Sequence, residues 1–264
     1  MYPIGSTFMT AFTESSYRAG TSEFVGLRNF KDLINDWFFQ KASINTAIFT
    51  IAASLAQVFL GLLMALLFAR PFSGRQWVIP AVIYPMMLST LVVASIWKAW
   101  FHFDFGWLNN LFEAIGLSRV LWLSDPSLAI WSIVLTDTWH WTPMAFLIIL
   151  AGLQGIPEDI QEAATLEGVT DLQRLLHITL PLLRGPLFLA LLLRTVDAFK
   201  VFDKVYVMTG GGPASSTETL SMLVYKEGFR FFNLGNASAI AVVMLLVAGV
   251  LSAAYAWQVI RRPT

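Results

Sequence analysis

Two groups of side chains in this sequence combine residue types that can do chemistry within an otherwise apolar setting. The first is Asp137-Thr138-Trp139-His140-Trp141-Thr142-Pro143. Asp137 and Trp141 are four apart and share a helical face. A carboxylate that accepts hydroxyl hydrogen bonds, beside an indole that covers an apolar CH surface, is the mixture that carbohydrate recognition needs. Packing of Trp139 and Trp141 on neighbouring helices, with Asp137 paired internally, accounts for the same residues without a ligand. Pro143 cannot donate to the carbonyl of Trp139, which leaves an acceptor free. Asp137 and His140 could also serve as an acid–base pair of a membrane-embedded enzyme, but no nucleophile joins them. The three histidines, His102, His140 and His177, lack metal-ligand spacing.

The second group is Arg194, Asp197, Lys200 and Asp203, with Phe199 among them. Signs alternate every three residues, so neighbours can pair along a helix. Each step turns about 60° backward on a helix of 3.6 residues per turn, so the ladder winds from one face towards the other. Arg194 and Asp197 are the deeper members and reach for a solute path; Lys200 and Asp203 read as a self-neutralised helix end. Gly210-Gly211-Gly212-Pro213 reads as a tight turn. It is not a phosphate cradle, because no lysine or serine follows it and no strand–helix context surrounds it. A nucleotide, if one is used, must bind another subunit.

Charged side chains inside a membrane are costly and face a cavity or a partner, so the elements that hold these groups matter. The chain has 264 residues, 56% hydrophobic and 13% charged, with a mean hydropathy of +0.65. A soluble domain carries about 25% charged residues; here lipid is the natural solvent. Spans of about 20 apolar residues are expected at 45–68, 77–97, 128–150, from Pro186 until the charge at Arg194, and at 237–257. Val25 to Phe39 is amphipathic, and Leu108, Leu111, Phe112, Ile115 and Leu117 recur at helical spacing, as in a helix lying in the interface. Arg70, Arg75, Arg261 and Arg262 place their span ends in the cytoplasm. The net charge of zero argues against a nucleic-acid partner, and the absence of cysteine excludes disulfides and thiol catalysis.

The segment from Pro157 to Pro186 is polar and lies between two spans. Proline followed by Glu158 and Asp159 suits a helix start. Gly168 suits a left-handed stop, Thr170 with Gln173 makes a capping box, and Pro181 is expected to end the second helix. Ala163, Ala164 and Gly168 offer a surface that another protein can approach closely. An ordinary structured loop between two spans reads equally well from these residues alone.

The order Glu162-Ala163-Ala164, then Gly168, then Ile178-Thr179-Leu180-Pro181 resembles the EAA loop of ABC-importer permeases. Arg194 to Asp203, Val205 to Pro213 and Phe24 to Phe30 look like the carbohydrate-uptake branch, the maltose and glycerol-phosphate type. The resemblance covers about Phe24 to the C-terminus. Glu167 stands where aspartate is common, Val169 where alanine is common and Leu175 where phenylalanine is frequent, changes that keep charge or apolarity.

This resemblance implies an all-α, polytopic bundle in the bacterial cytoplasmic membrane. It would have about five full spans, a truncated N-terminal helix with an external segment over 1–44, and a transmembrane domain over 45–264 with its coupling loop at 157–186. It implies a sugar as cargo, with a polyol or glycerol phosphoester as the alternative. It further implies a second homologous permease subunit, two ATPase subunits that carry ATP and Mg, an external binding protein, and membrane lipid around the spans. Glu162, Ala163, Ala164, Gly168 and Pro181 would couple to the ATPase, and Asp137, His140, Trp141, Arg194, Asp197 and Phe199 would line the path. In that family Phe24 to Phe30 follows the first membrane helix, so a start codon placed too late, or a protein that works with five full spans, is expected here.

Overall fold

The computed structural model describes residues 2–16, 21–69 and 72–260. In chain order, α1 (Tyr2–Ala11) leads into a short antiparallel hairpin, β1 (Thr13–Ser16) with β2 (Thr21–Phe24), the one sheet among the described residues. It pairs Thr13 with Phe24 and Ser16 with Thr21. The amphipathic stretch divides into α2 (Arg28–Asn35) and the start of α3 (Trp37–Ala69). The boundary expected between residues 44 and 45 therefore falls inside α3. Asn29 ties this region together: its side-chain amide donates to the carbonyls of Ala11, at 2.9 Å, and Thr13, at 3.0 Å.

The expected span at 77–97 is broken. It forms α4 (Arg75–Met87) and α5 (Thr90–Trp100), bent by 96°. Pro80 and Pro85 lie within α4 and Leu88 turns extended, so the ladder of backbone hydrogen bonds stops there. The connection between α5 and the next long helix contains α6 (Trp107–Ala114). Its fully buried Asn109 accepts from the Val120 amide and the Trp122 indole, both at 3.0 Å, and donates to the Val120 carbonyl at 3.0 Å. Hydrogen bonds from the Ser127 hydroxyl and amide hold Asp125, in the same loop, below the ordinary carboxylate range.

Next come α7 (Ala129–Gln154), α8 (Glu158–Leu166) and α9 (Asp171–Arg174). The capping box of Thr170 and Gln173 is formed in both directions. Pro181 does not end the helix. A π-type turn (Leu175–Thr179) shifts the ladder so that the Leu180 amide reaches back five residues to Leu175, and Pro181, which has no amide hydrogen to donate, fits at the start of α10 (Leu180–Leu182). The bend, of 64°, comes at Leu183, before α11 (Arg184–Phe199). Then follow α12 (Asp203–Met208), α13 (Leu220–Tyr225), a π-type turn (Lys226–Arg230) and α14 (Leu234–Ile260).

Three helices, α3, α7 and α14, are each long and apolar enough to cross a membrane, and the two bent pairs raise the number to five if each is one span. The 33 residues of α3 run about 50 Å at 1.5 Å each, longer than the roughly 30 Å hydrocarbon layer. The three differ in placement. Two thirds of the apolar window of α7 is buried (67%), against 28% for α3 and 22% for α14, so α7 is the central helix. Small residues bring its neighbours close. A Cβ on Gly61 would fall 2.8 Å from the Phe146 backbone nitrogen, and one on Gly152 would fall 2.4 Å from Pro186. These contacts draw α3 and α11 onto α7.

Candidate functional site

Gln57 stands one turn before Gly61 on α3, so the close approach to α7 carries its amide to Asp137. It donates to Asp137 Oδ2 at 2.8 Å and to the Asp137 carbonyl at 3.1 Å. Its oxygen accepts from Arg194 Nε at 2.7 Å. Arg194 Nη1 donates to Asp197 Oδ2 at 3.0 Å, and Nη2 lies 3.5 Å from Asp137 Oδ2. Lys204 donates to Asp137 Oδ1. Gln57, Asp137, Arg194 and Lys204 are all at most 3% exposed. Four elements, α3, α7, α11 and α12, thus meet at one carboxylate. Two cations on a buried carboxylate, with an amide filling the remaining polar contacts, is how charge is made tolerable away from water.

The hub forms the floor of a cavity of about 300 Å³ between α7, α11, α12 and the start of α5. Thr90, Asp137, Trp141, Arg194, Asp197 and Ala198 line it, with Lys200, Val201, Phe202, Asp203 and Lys204 completing the wall. The Trp141 ring lies under the Arg194 guanidinium, 4.8 Å from centroid to Cζ. The cavity therefore offers two aromatic side chains, Trp141 and Phe202, with carboxylates, cations and a hydroxyl.

Of the residues expected on a solute path, Asp137, Trp141, Arg194 and Asp197 are brought together here. His140 and Phe199 are not. The His140 ring contacts the carbonyl of Leu88 at 3.2 Å. It thereby satisfies an acceptor that the break between α4 and α5 releases. Phe199 is buried on the opposite side, among Leu220, Leu223, Ile240 and their neighbours. The reason is the end of α11 at Phe199: the chain turns at Lys200, and Phe202 takes the cavity position. The charge ladder is cut at the same point, where Lys200 reaches back to Asp197 at 3.5 Å and Asp203 opens α12. The polar stretch around Asp137 lies on one continuous helix, since α7 runs unbroken through Pro143. Gln57 and Lys204 were missed. An amide in the middle of an apolar span is a signal for Gln57; Lys204 reads in sequence as a loop charge.

On the loop side, Glu162 is exposed on α8 and Gly168 takes the left-handed conformation, φ +68°, with open space around its Cα. Ala164 is 4% exposed, so it turns into this chain and not towards a partner. The side chain of Ala163, and Arg70, Arg261 and Arg262, lie outside the described residues. Leu166 is an open apolar residue of α8, at 89% exposure. From Asp137 to the end of α7 is about 25 Å along the helix, so loop and cavity are joined by one continuous element.

The family of binding-protein-dependent transport system inner membrane components matches residues 57–262. The chain belongs to this family. It is a permease subunit of an ABC importer, multi-pass in the inner membrane, of a family for which an EAA motif and a coupling helix are typical. The permease is 36% identical over 264 residues to the sulfoquinovosyl glycerol transport permease of Agrobacterium fabrum, covering 97% of this chain and 83% of that one. It is 35% identical over 248 residues to the trehalose/maltose transport permease of Thermococcus litoralis, covering 93% and 83%. Its fold matches a chain of a bacterial ABC transporter that imports the acidic polysaccharide alginate, with a TM-score of 0.87, 22% identity and coverage of 100% and 91%.

Proposed function

We propose that this permease translocates a sugar through the cavity above Asp137, receiving it from an external binding protein. A second homologous permease subunit forms the other wall, and ATP with Mg is used on two partner ATPase subunits. The observation that carries the reading is the cavity itself: the Trp141 ring and the Asp137 and Asp197 carboxylates line one space of about 300 Å³. Sugar rings present CH faces to indoles and hydroxyls to carboxylates. The permeases named above for trehalose/maltose and sulfoquinovosyl glycerol support a carbohydrate cargo. In alternating access, closure of the ATPases pushes on α8. Because α7 and α11 flank that loop, the push travels along both helices and shifts the hub that closes the cavity floor.

Uptake of radiolabelled trehalose or maltose by the full assembly in proteoliposomes tests this. Trp141→Ala is expected to lower uptake about tenfold, in line with the loss of one well-packed ligand contact, while the subunits still co-purify. Glu162→Lys is expected to abolish uptake and to strip the ATPase from the complex. Normal uptake in Trp141→Ala would remove the cavity from the path; intact coupling in Glu162→Lys would refute docking through α8.

A further inference from the structure

The charges around the cavity cancel. Arg194, Lys200 and Lys204 stand against Asp137, Asp197 and Asp203. More telling is how the two buried cations are held. Arg194 gives Nε to Gln57 and Nη1 to Asp197, keeps Nη2 beside Asp137, and has one face closed by the Trp141 ring. Lys204 is directed at Asp137 Oδ1. A sulfonate, phosphate or carboxylate needs a cation with donors to spare, best a guanidinium fork. Here an anion would find both buried cations engaged and the exposed Lys200 paired with Asp197 at 3.5 Å, and it would face three carboxylates. Hydroxyl groups meet no such obstacle: the Asp197 side chain is 45% exposed, and it and Thr90 can accept from them.

We propose that the Asp137 carboxylate makes this permease selective for uncharged carbohydrates, by holding Arg194 and Lys204 away from anionic groups. The inference rests on the carbohydrate reading above and narrows it: sulfonated and uronic sugars and glycerol phosphoesters fall outside the cargo class, which sets this permease apart from the relative named for sulfoquinovosyl glycerol, a sulfonated sugar. Asp137 acts here as a specificity residue, through the two cations that it engages.

The test is calorimetric titration of the complete transporter, purified with its partner subunits, with four probes: trehalose or maltose, sorbitol, glucuronate and glycerol 3-phosphate. The wild type is expected to bind the disaccharide at least about tenfold more tightly than either anion, and Asp137→Asn to raise the anion-to-disaccharide affinity ratio by about tenfold or more, as freed cations in a preformed site should. Asp197→Asn, at a half-exposed carboxylate, should shift the ratio the same way by a smaller factor, and it decides the matter if Asp137→Asn does not assemble. Anions bound as tightly as the disaccharide by the wild type, or an unchanged ratio in an assembled variant, would overturn the charge rule and leave the carbohydrate reading standing. Sorbitol bound in place of the disaccharide, with both anions rejected, would overturn the carbohydrate reading and support the charge rule. Binding of none of the four would overturn both.

Discussion

Replacing Gln57 with leucine keeps a buried side chain of similar size and removes both polar ends at once. Gln57 is fully buried, and its amide bridges Asp137 at 2.8 Å and Arg194 at 2.7 Å. Hydrogen bonds to charged groups contribute about 1.5–3 kcal/mol each, so two set an upper range of about 3–6 kcal/mol. Interhelical hydrogen bonds in membrane proteins measure lower, about 0.6–2 kcal/mol, because the loosened state finds other partners. The direct contact between Arg194 and Asp137 is 3.5 Å, too long to be a good hydrogen bond, and it can tighten once the relay is gone. The balance gives an expected loss of about 2–3 kcal/mol. Equilibrium unfolding of the purified permease in mixed micelles with increasing SDS measures it. A cycle that combines Gln57→Leu with Asp137→Asn should show a coupling of about 1–2 kcal/mol, as for residues in one network. A loss below about 0.5 kcal/mol, or strict additivity in the cycle, would show that Arg194 and Asp137 hold each other without the amide.

Gly61→Val should lower the thermal midpoint, because its Cβ would fall 2.8 Å from the Phe146 nitrogen and 2.9 Å from the Ala145 Cβ, an overpacking cost of about 1–3 kcal/mol. Gly249→Ala, with nothing within 4 Å, should be neutral or stabilising by about 0.5–1 kcal/mol; equal effects of the two would refute close packing of α3 on α7. The third prediction concerns pH. Burial, and secondarily the Asp36 charge, push the Glu227 carboxyl above its ordinary value. The folded state then holds this proton more tightly than the unfolded chain does. The associated stability is fully present below the unfolded value of 4.5 and is lost as pH rises through the folded one. Glu227→Gln should therefore flatten the fall in thermal midpoint on going from acid to neutral pH; an unchanged slope would refute it.

The elements legible in the sequence are those set by apolar length and by local caps. The spans that became α3, α7 and α14, the start of α9 at Thr170 and the elbow at Gly168 each depend on a handful of neighbouring residues. What was not legible depends on contacts across the chain. The apolar run at 77–97 shows no interruption because proline is tolerated in apolar helices; only the bend, stabilised by His140 on the Leu88 carbonyl, reveals two helices. Phe199 was expected on the path by resemblance, and the end of α11 at that residue turns it to the other side. Gln57 meets a partner 80 residues away, and Lys204, next to the loop charges Lys200 and Asp203, gives no sign in sequence that it turns inward.

One quantity visible in sequence does point to the site, by a logic opposite to that of soluble proteins. In water, the most apolar helix is the most buried. Here the long helices rank the other way: α7 has the lowest window hydropathy, 1.3 against 2.3 and 2.4 for α3 and α14, and the highest burial, 67% against 28% and 22%. Lipid accepts an apolar surface at no cost, so α3 and α14 can leave most of theirs outside. Asp137, His140 and the threonines of α7 cannot face hydrocarbon, and they draw that helix to the centre. A polar residue on a peripheral span then has one favourable direction, towards the central helix. Applied to α3, this rule turns Gln57 towards Asp137, which is where it is found.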